Sequence, residues 1–281
     1  MIGLNAPAVV VWIAPDGRQL HLAGGADQRR ERVSLDVGLG GVGGMDASAK
    51  FTAGVNQFGE TLTGFDYAHG EVDLPLSVLG NSVADMQATR EAVKGMFSRD
   101  KAGWLAVYTP VTGWRWLRCY LKTMKAAVGS SPYLATRATI QVVLLAEDPR
   151  ASVAGHSSLW RNETLSGHGE LWAYNAGEFD SWPSFVVHGP GAVNLAVRGS
   201  TITLPRLDAA ERCLLHADPM RGVLRSVGAD GVRRNRWPDV TGYLAEPLPA
   251  GELSSVVVTV AGGDADTAVL ATVDAYTEGL L

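Results

Sequence analysis

Apolar and polar residues alternate with the period of β-strands along most of the chain, and with the period of a helix in one place. The cleanest alternation runs from Glu71 to Val78, with Val72, Leu74, Leu76 and Val78 on one side and Glu71, Asp73 and Ser77 on the other. Pro75 falls on the polar side and has no N–H to give to a ladder, which suggests an edge strand. Residues Ala8–Ile13 and Gln19–Leu22 flank Pro15-Asp16-Gly17, and Asp-Gly between apolar runs predicts a hairpin. Val33–Val37 predicts a half-buried strand; Trp104–Tyr108, Arg115–Met124 and Tyr133–Ala146 predict three more. The helical period is confined to Ser82–Ser98, where Val83, Met86, Val93, Met96 and Phe97 form one stripe. Ser82 can cap that helix, with Asp85 three residues on near the positive end of its dipole. The stripe is expected to pack across a sheet as core.

Glu147-Asp148-Pro149-Arg150 ends the long apolar strand, and Asp-Pro marks a boundary. Beyond it the pattern is all β. Short strands are predicted at Phe185–Val187, Val193–Val197, Thr201–Leu204, Cys213–His216, Val223–Val227, Val256–Val260 and Val269–Ala275. Their spacing suggests a sandwich. The expected organisation is therefore mainly β, with a strand-and-helix domain over 1–150 and a β-sandwich over 151–281. Gly38–Gly44 contains a formal G-x-G-x-x-G after a strand, but the following Met45–Glu60 has no helical period to receive a pyrophosphate. This segment is expected to be a mobile Gly-rich loop, able to reach a neighbouring subunit.

Composition narrows the function. The 281 residues are 46% hydrophobic and 19% charged, the balance of an ordinary globular protein. The net charge of −5 comes without a block of Lys or Arg, so nucleic-acid binding is not expected. Residues Met1–Val11 lack a positive leader and are expected to form the first strand, and no apolar run is long enough for a membrane helix. Cys119 and Cys213 are too few for a disulfide framework or a zinc site and are expected to be buried and reduced.

Catalytic patterns do not emerge. No G-x-S-x-G elbow occurs, and His21, His69, His156, His168, His188 and His216 show no paired metal spacing. His156 and His168 are expected in a solvated polar loop with Ser157, Ser158, Asn162 and Gly167. No enzyme activity, cofactor or metal is expected. Aromatic residues are concentrated in the second domain: Trp160, Trp172, Tyr174, Trp182, Trp237 and Tyr243. They fit core or subunit contacts, with sugar stacking as the alternative. Trp172, Tyr174, Trp182 and Trp237 are the candidate glycan or subunit contacts.

The ordered motifs resemble one family. Tyr174 to Gly191 carries Asn175-Ala176-Gly177, then Pro183-Ser184-Phe185-Val186-Val187-His188-Gly189, similar to the opening of the C-terminal domain of siphophage distal tail proteins. Leu105–Pro110, Gly113-Trp114-Arg115, His216-Ala217-Asp218, Asp230-Gly231 and Leu248-Pro249-Ala250-Gly251 follow in that family's order, which is shared with actinophage minor tail proteins. Glu252-Leu253 and the Gly-rich 38–44 insert depart from it. The resemblance covers nearly the whole chain. It implies an N-terminal belt domain that forms a ring, most simply a homohexamer, and a C-terminal galectin- or carbohydrate-module-like sandwich. It also implies a structural role in the virion tail, after assembly in the host cytoplasm. The implied partners are the tail tube protein and the tail-tip or baseplate hub, with the tape measure protein and a host surface glycan as further candidates. The alternative role is a receptor-binding module holding cell-wall glycan through the sandwich.

Overall fold

The structure, a computed structural model, describes residues 8–36, 38–55, 57–128 and 135–281. The start of the expected first strand (1–7), Val37, and residues 133–134 of the expected long strand lie outside the described residues. The chain divides into two compact units, Met1–Ser152 with Thr277–Leu281, and Val153–Tyr276. The expected boundary at 150 falls two residues before this division. Residues 277–281 join the first unit instead of the sandwich, because Leu280 is buried in that unit's core and its N–H donates to the Val42 carbonyl at 2.9 Å.

The first unit contains β1 (Val9–Ile13), β2 (Gln19–Ala23), β3 (Val33–Leu35), β4 (Ala47–Thr52), β5 (Thr61–Tyr67), β6 (Gly70–Leu79), α1 (Val83–Lys94), β7 (Gly103–Thr109), β8 (Gly113–Val128) and β9 (Arg137–Ala146). β1 and β2 close as the Asp-Gly hairpin, with Gly17 at φ 87° supplying the left-handed turn residue. The strands form two large antiparallel sheets, β2-β1-β7-β8 and β8-β9-β6-β3, and a separate pair, β4-β5. β8 belongs to both: Gly113–Cys119 pair with β7 and Tyr120–Val128 with β9. Its register slips between Leu121 and Thr123, just past the point where it changes partners.

Inward side chains of both sheets make one core. Val72, Leu74, Leu76 and Val78 are wholly buried, as the alternation requires, and meet Ile140, Val142 and Leu144 from β9. β6 lies inside its sheet, not at the edge that Pro75 suggested. β9 pairs along its whole length, but β3 ends at Leu35, and Asp36 N–H donates to the Pro75 carbonyl at 3.0 Å. The missing N–H of Pro75 therefore points to the side where the neighbouring strand has stopped.

α1 begins at the expected cap: Asp85 N–H donates to Ser82 Oγ at 3.1 Å, and Asp85 Oδ2 accepts from Asn81 N–H at 2.7 Å. It ends at Lys94 before Gly95, four residues short of the predicted end. Met96 and Phe97 still pack in the core from the following turn. Trp12 holds that turn. Its Nε1 donates to the Met96 carbonyl at 3.0 Å, and its ring stacks on Phe97 with centroids 4.8 Å apart.

The Gly-rich segment is laid against the sheet and not free. Gly40 exchanges two backbone hydrogen bonds with Asp73, at 3.1 and 3.0 Å, and Val42 is buried. Gly41, at φ 72°, runs so close to the Glu71 carbonyl that any side chain there would collide with it. Glycine at 41 allows this close approach, which explains that residue without a ligand.

The second unit contains β10 (Ala151–Arg161, entered from the first unit), β11 (His168–Tyr174), β12 (Pro183–His188), β13 (Ala192–Val197), β14 (Ser200–Thr203), β15 (Arg212–His216), β16 (Val223–Val227), β17 (Arg233–Asn235), β18 (Thr241–Tyr243), β19 (Leu253–Ala261) and β20 (Ala268–Thr277). It is a sandwich. A five-stranded sheet, β11-β19-β13-β14-β18, faces the run β17-β16-β15-β12-β20-β10. Leu195, Val256 and Val258 from one side meet Phe185, Val187, Leu215 and Val273 from the other. His156 and His168 lie in β10 and β11, not in a loop; only 162–167 connect those strands. His156 and Ser158 on its partly buried side, and Leu159 on its exposed side, hid the alternation of β10.

The Asn175-Ala176-Gly177 motif has a structural cause. Asn175 is wholly buried; its Nδ2 donates to the carbonyls of Phe179 and Leu248, both at 2.9 Å, and its Oδ1 accepts from Gly177 N–H at 3.0 Å. Glu211 is the sandwich's buried acid. It accepts from Arg236 Nη2 at 2.6 Å and from Asp208 N–H at 3.0 Å, while Arg236 Nε donates to Ser226 Oγ at 2.9 Å. Burial alone would raise its pKa, but hydrogen bonds from Ser226, Arg236 and the Asp208 amide hold it below the ordinary 4.5.

Trp12→Ala should lower the unfolding free energy of the first unit by about 3–5 kcal/mol in urea titration, and Trp12→Phe by less. For Glu211, a folded pKa below the unfolded one gives stability that is complete above pH 4.5 and lost as pH falls through the folded value. Thermal unfolding of the second unit should therefore weaken below that pH, and Glu211→Gln should flatten the dependence.

Candidate functional site

Two surfaces of the first unit leave apolar residues uncovered. The first is the hairpin of β4 and β5. These strands form a two-stranded sheet by themselves, and almost every residue in them is exposed. Register puts Ala49 opposite Phe65 and Phe51 opposite Leu62, so these side chains share one face. Phe51, Leu62 and Phe65 are each about half exposed, at 56%, 49% and 51%. Lys50 and Asp66 pair at 2.5 Å on the opposite, polar face. Beyond the strands, Val55 and Phe58 are open to solvent. A lone hairpin is marginal in water, and exposed apolar residues gathered on one face mark a contact surface.

The second surface is the outer face of the sheet β2-β1-β7-β8. Val9, Val11 and Ile13 of β1 lie beside Tyr108, Ala106 and Trp104 of β7, which lie beside Trp114 and Trp116 of β8. Trp114 stacks on Trp116 with centroids 6.2 Å apart, and Tyr108 tilts against Trp114 at 5.4 Å. Trp104 and Trp114 remain 39% exposed. A hollow of about 360 Å³ lies between β1 and these rings, lined by Val9, Val11, Ile13, His21, Trp114 and Trp116. The sequence showed these residues only as strand members; their gathering on one face depends on the β1–β7–β8 register.

The four aromatic candidates of the second unit do not form one site. Trp172 and Tyr174 share the outward face of β11, opposite Ser255 and Leu253 of β19. The His156 ring stands edge-on to Tyr174, with centroids 6.2 Å apart. Trp182 precedes β12 and packs against the sandwich core. Trp237 sits in a short 3-10 turn after β17, and its Nε1 donates to the Gly222 carbonyl at 2.8 Å.

Both cysteines are buried free thiols. Burial pushes Cys119 up to about 12 and Cys213 up to about 11, so neither is a nucleophile at neutral pH. Among the described residues, no three His, Cys, Asp or Glu side chains gather as a metal site, and no helix is long and apolar enough to cross a membrane.

No protein-family model and no curated protein matches the chain. Solved structures do. The chain shares the fold of SPP1 Dit, described as a paradigm of the hub adsorption apparatus in Gram-positive infecting phages. The TM-score is 0.63 at 10% identity, over 95% of this chain and 98% of that one. A protein of the phage P2 baseplate in its activated conformation with Ca matches at TM-score 0.55 and 8% identity, over 96% and 98% of the two chains. The Sr form of that baseplate matches at TM-score 0.55 and 7% identity, over the same shares. At these identities the likeness establishes the fold, and it spans both units.

The hairpin's apolar face should be dispensable for folding. Phe51→Ser with Phe65→Ser should change unfolding free energy by less than about 0.5 kcal/mol, as exposed substitutions do, while reducing the fluorescence of a bound hydrophobic dye.

Proposed function

We propose that this protein is a structural component of a phage tail, a distal tail protein whose copies form a ring between the tail tube and the tail-tip or baseplate hub. The observation that carries this is the pair of uncovered apolar surfaces on a unit with the hub-type fold: a projecting hairpin and an aromatic hollow. The apolar face of β4 and β5 is taken to seat against the Trp104, Trp114 and Trp116 face of the next copy. Because the two surfaces differ, the contact is heterologous, and repeating it closes a ring if the rotation allows. Six copies is the number that the resemblance implies. The tube protein, the hub and the tape measure protein are the assembly partners, and assembly takes place in the host cytoplasm. The work is joining and transmitting, and no catalysis is assigned.

A second reading has one observation behind it. Trp172 and Tyr174, 47% and 38% exposed on one face of β11, could stack on sugar rings of a host wall glycan. Loss of polysaccharide binding in Trp172→Ala would support it, and unchanged binding would remove it.

The ring contact can be tested with the native thiols left in place, because burial keeps Cys119 and Cys213 protonated. A Phe65→Cys chain mixed with a Trp114→Cys chain should cross-link between copies on mild oxidation, and neither chain should do so alone. Cross-linking of each variant only with itself would mean a symmetric dimer contact and would contradict the proposal.

A further inference from the structure

The outward face of β12, β15, β16 and β17 carries charge of one sign. Cys213 and Leu215 point into the sandwich, so Arg212, Leu214 and His216 point out. Register places Arg212 opposite Val227, and Val227 opposite Arg233. Arg225 lies one pleat along, opposite Leu214 and Asn235. Adjacent strands are about 5 Å apart, and diagonal neighbours roughly 7–8 Å. The three arginines surround a hollow of about 260 Å³ with a floor of Val186, Leu214 and Val227.

No Asp or Glu occurs in any of the four strands. Arg212, Arg225 and Arg233 are exposed, and none makes an ion pair among the described residues, whereas Arg221, Arg234 and Arg236 nearby are each paired to an acid. His188, opposite Arg212, is held below its ordinary pKa first by burial and then by the nearby Arg212 and Arg161. The chain as a whole is acidic, at −5, so this face is a local reversal.

We infer that this face of the sandwich binds a phosphodiester-linked polyol chain, with Arg212, Arg225 and Arg233 forking onto its phosphates and its carbon backbone lying over Val186, Leu214 and Val227. Guanidinium groups match phosphate in a two-pronged fashion. Nothing aromatic lines the hollow, so nucleobases would find no stacking platform and sugar rings no flat partner. An aliphatic floor between separated cations suits a flexible chain with charges at intervals and no rings. This inference stands on the face's own chemistry and is independent of ring formation.

The test is calorimetric titration of the whole chain with poly(glycerol phosphate), alongside oligo-dT and poly-glutamate of matched charge, and inorganic phosphate. The poly(glycerol phosphate) should bind. Raising salt from about 50 to about 200 mM should weaken it about 20-fold, the loss expected for three phosphate contacts on a flexible chain. Arg225→Gln and Arg233→Gln should each lower affinity and reduce the salt slope by roughly 0.7, with unchanged melting temperature. Arg221→Gln, outside the hollow, should have no effect. Absence of binding would overturn the inference. So would equal binding of oligo-dT or poly-glutamate, which would make the face an unspecific polyanion patch or a docking site for an acidic protein segment. Ring formation is unaffected by either outcome, so failure here leaves the assembly reading intact.

Discussion

A β-sheet has two faces, and the first unit fills only one face of its sheet β2-β1-β7-β8. Val10, Trp12, Leu105, Val107 and Leu117 point inward and meet the wholly buried residues of β6 and β9. The opposite face of the same strands is nearly as apolar, with Val9, Val11, Ile13, Trp104, Trp114 and Trp116; Val11 is buried there, but Trp104 and Trp114 stay 39% exposed, Trp114 beside the hollow. Strand geometry forces this division, because successive side chains point to opposite sides. An apolar inner face folds the unit; exposed aromatic rings on the outer face are the surplus that the proposed assembly uses. The hairpin of β4 and β5 has the same surplus, with Phe51, Leu62 and Phe65 on its uncovered side.

The fold was largely legible where alternation is strong and chain punctuation is local. The Asp16-Gly17 hairpin, the β6 pattern and the Ser82 cap all rest on contacts within a few residues. What was hidden depended on longer-range pairing. β4 reads Ala-Ser-Ala-Lys-Phe-Thr, too small and polar to announce a strand beside a Gly-rich segment. β10 disguised its alternation by placing His156 and Ser158 on the partly buried side with Trp160, and Leu159 on the exposed side. Pro75 suggested an edge because the sequence cannot show that β3 stops opposite it. The burial of Leu280 in the first unit depends on the path of β20.

The candidate sites were less legible than the fold. Aromatic residues drew the reading to the second unit, where Trp182 proves to support the core and Trp237 is anchored to the Gly222 carbonyl. The concentrated aromatic face is instead in the first unit, built from residues of β1, β7 and β8. Arg212, Arg225 and Arg233 are likewise spread over three strands, so the charge appears only when antiparallel register stacks them. In both cases a run of sequence carries little signal, and a sheet face carries much.

In the proposed assembly, the two apolar surfaces of the first unit meet between copies and close a ring. Electron microscopy of the purified chain, with its mass measured in solution and again after addition of tail tubes, tests this most directly. Closed rings of one diameter, lost when Phe51 and Phe65 are changed to serine, are the predicted result. A chain that stays monomeric by mass at high concentration, and forms no ring on the tubes, would contradict it.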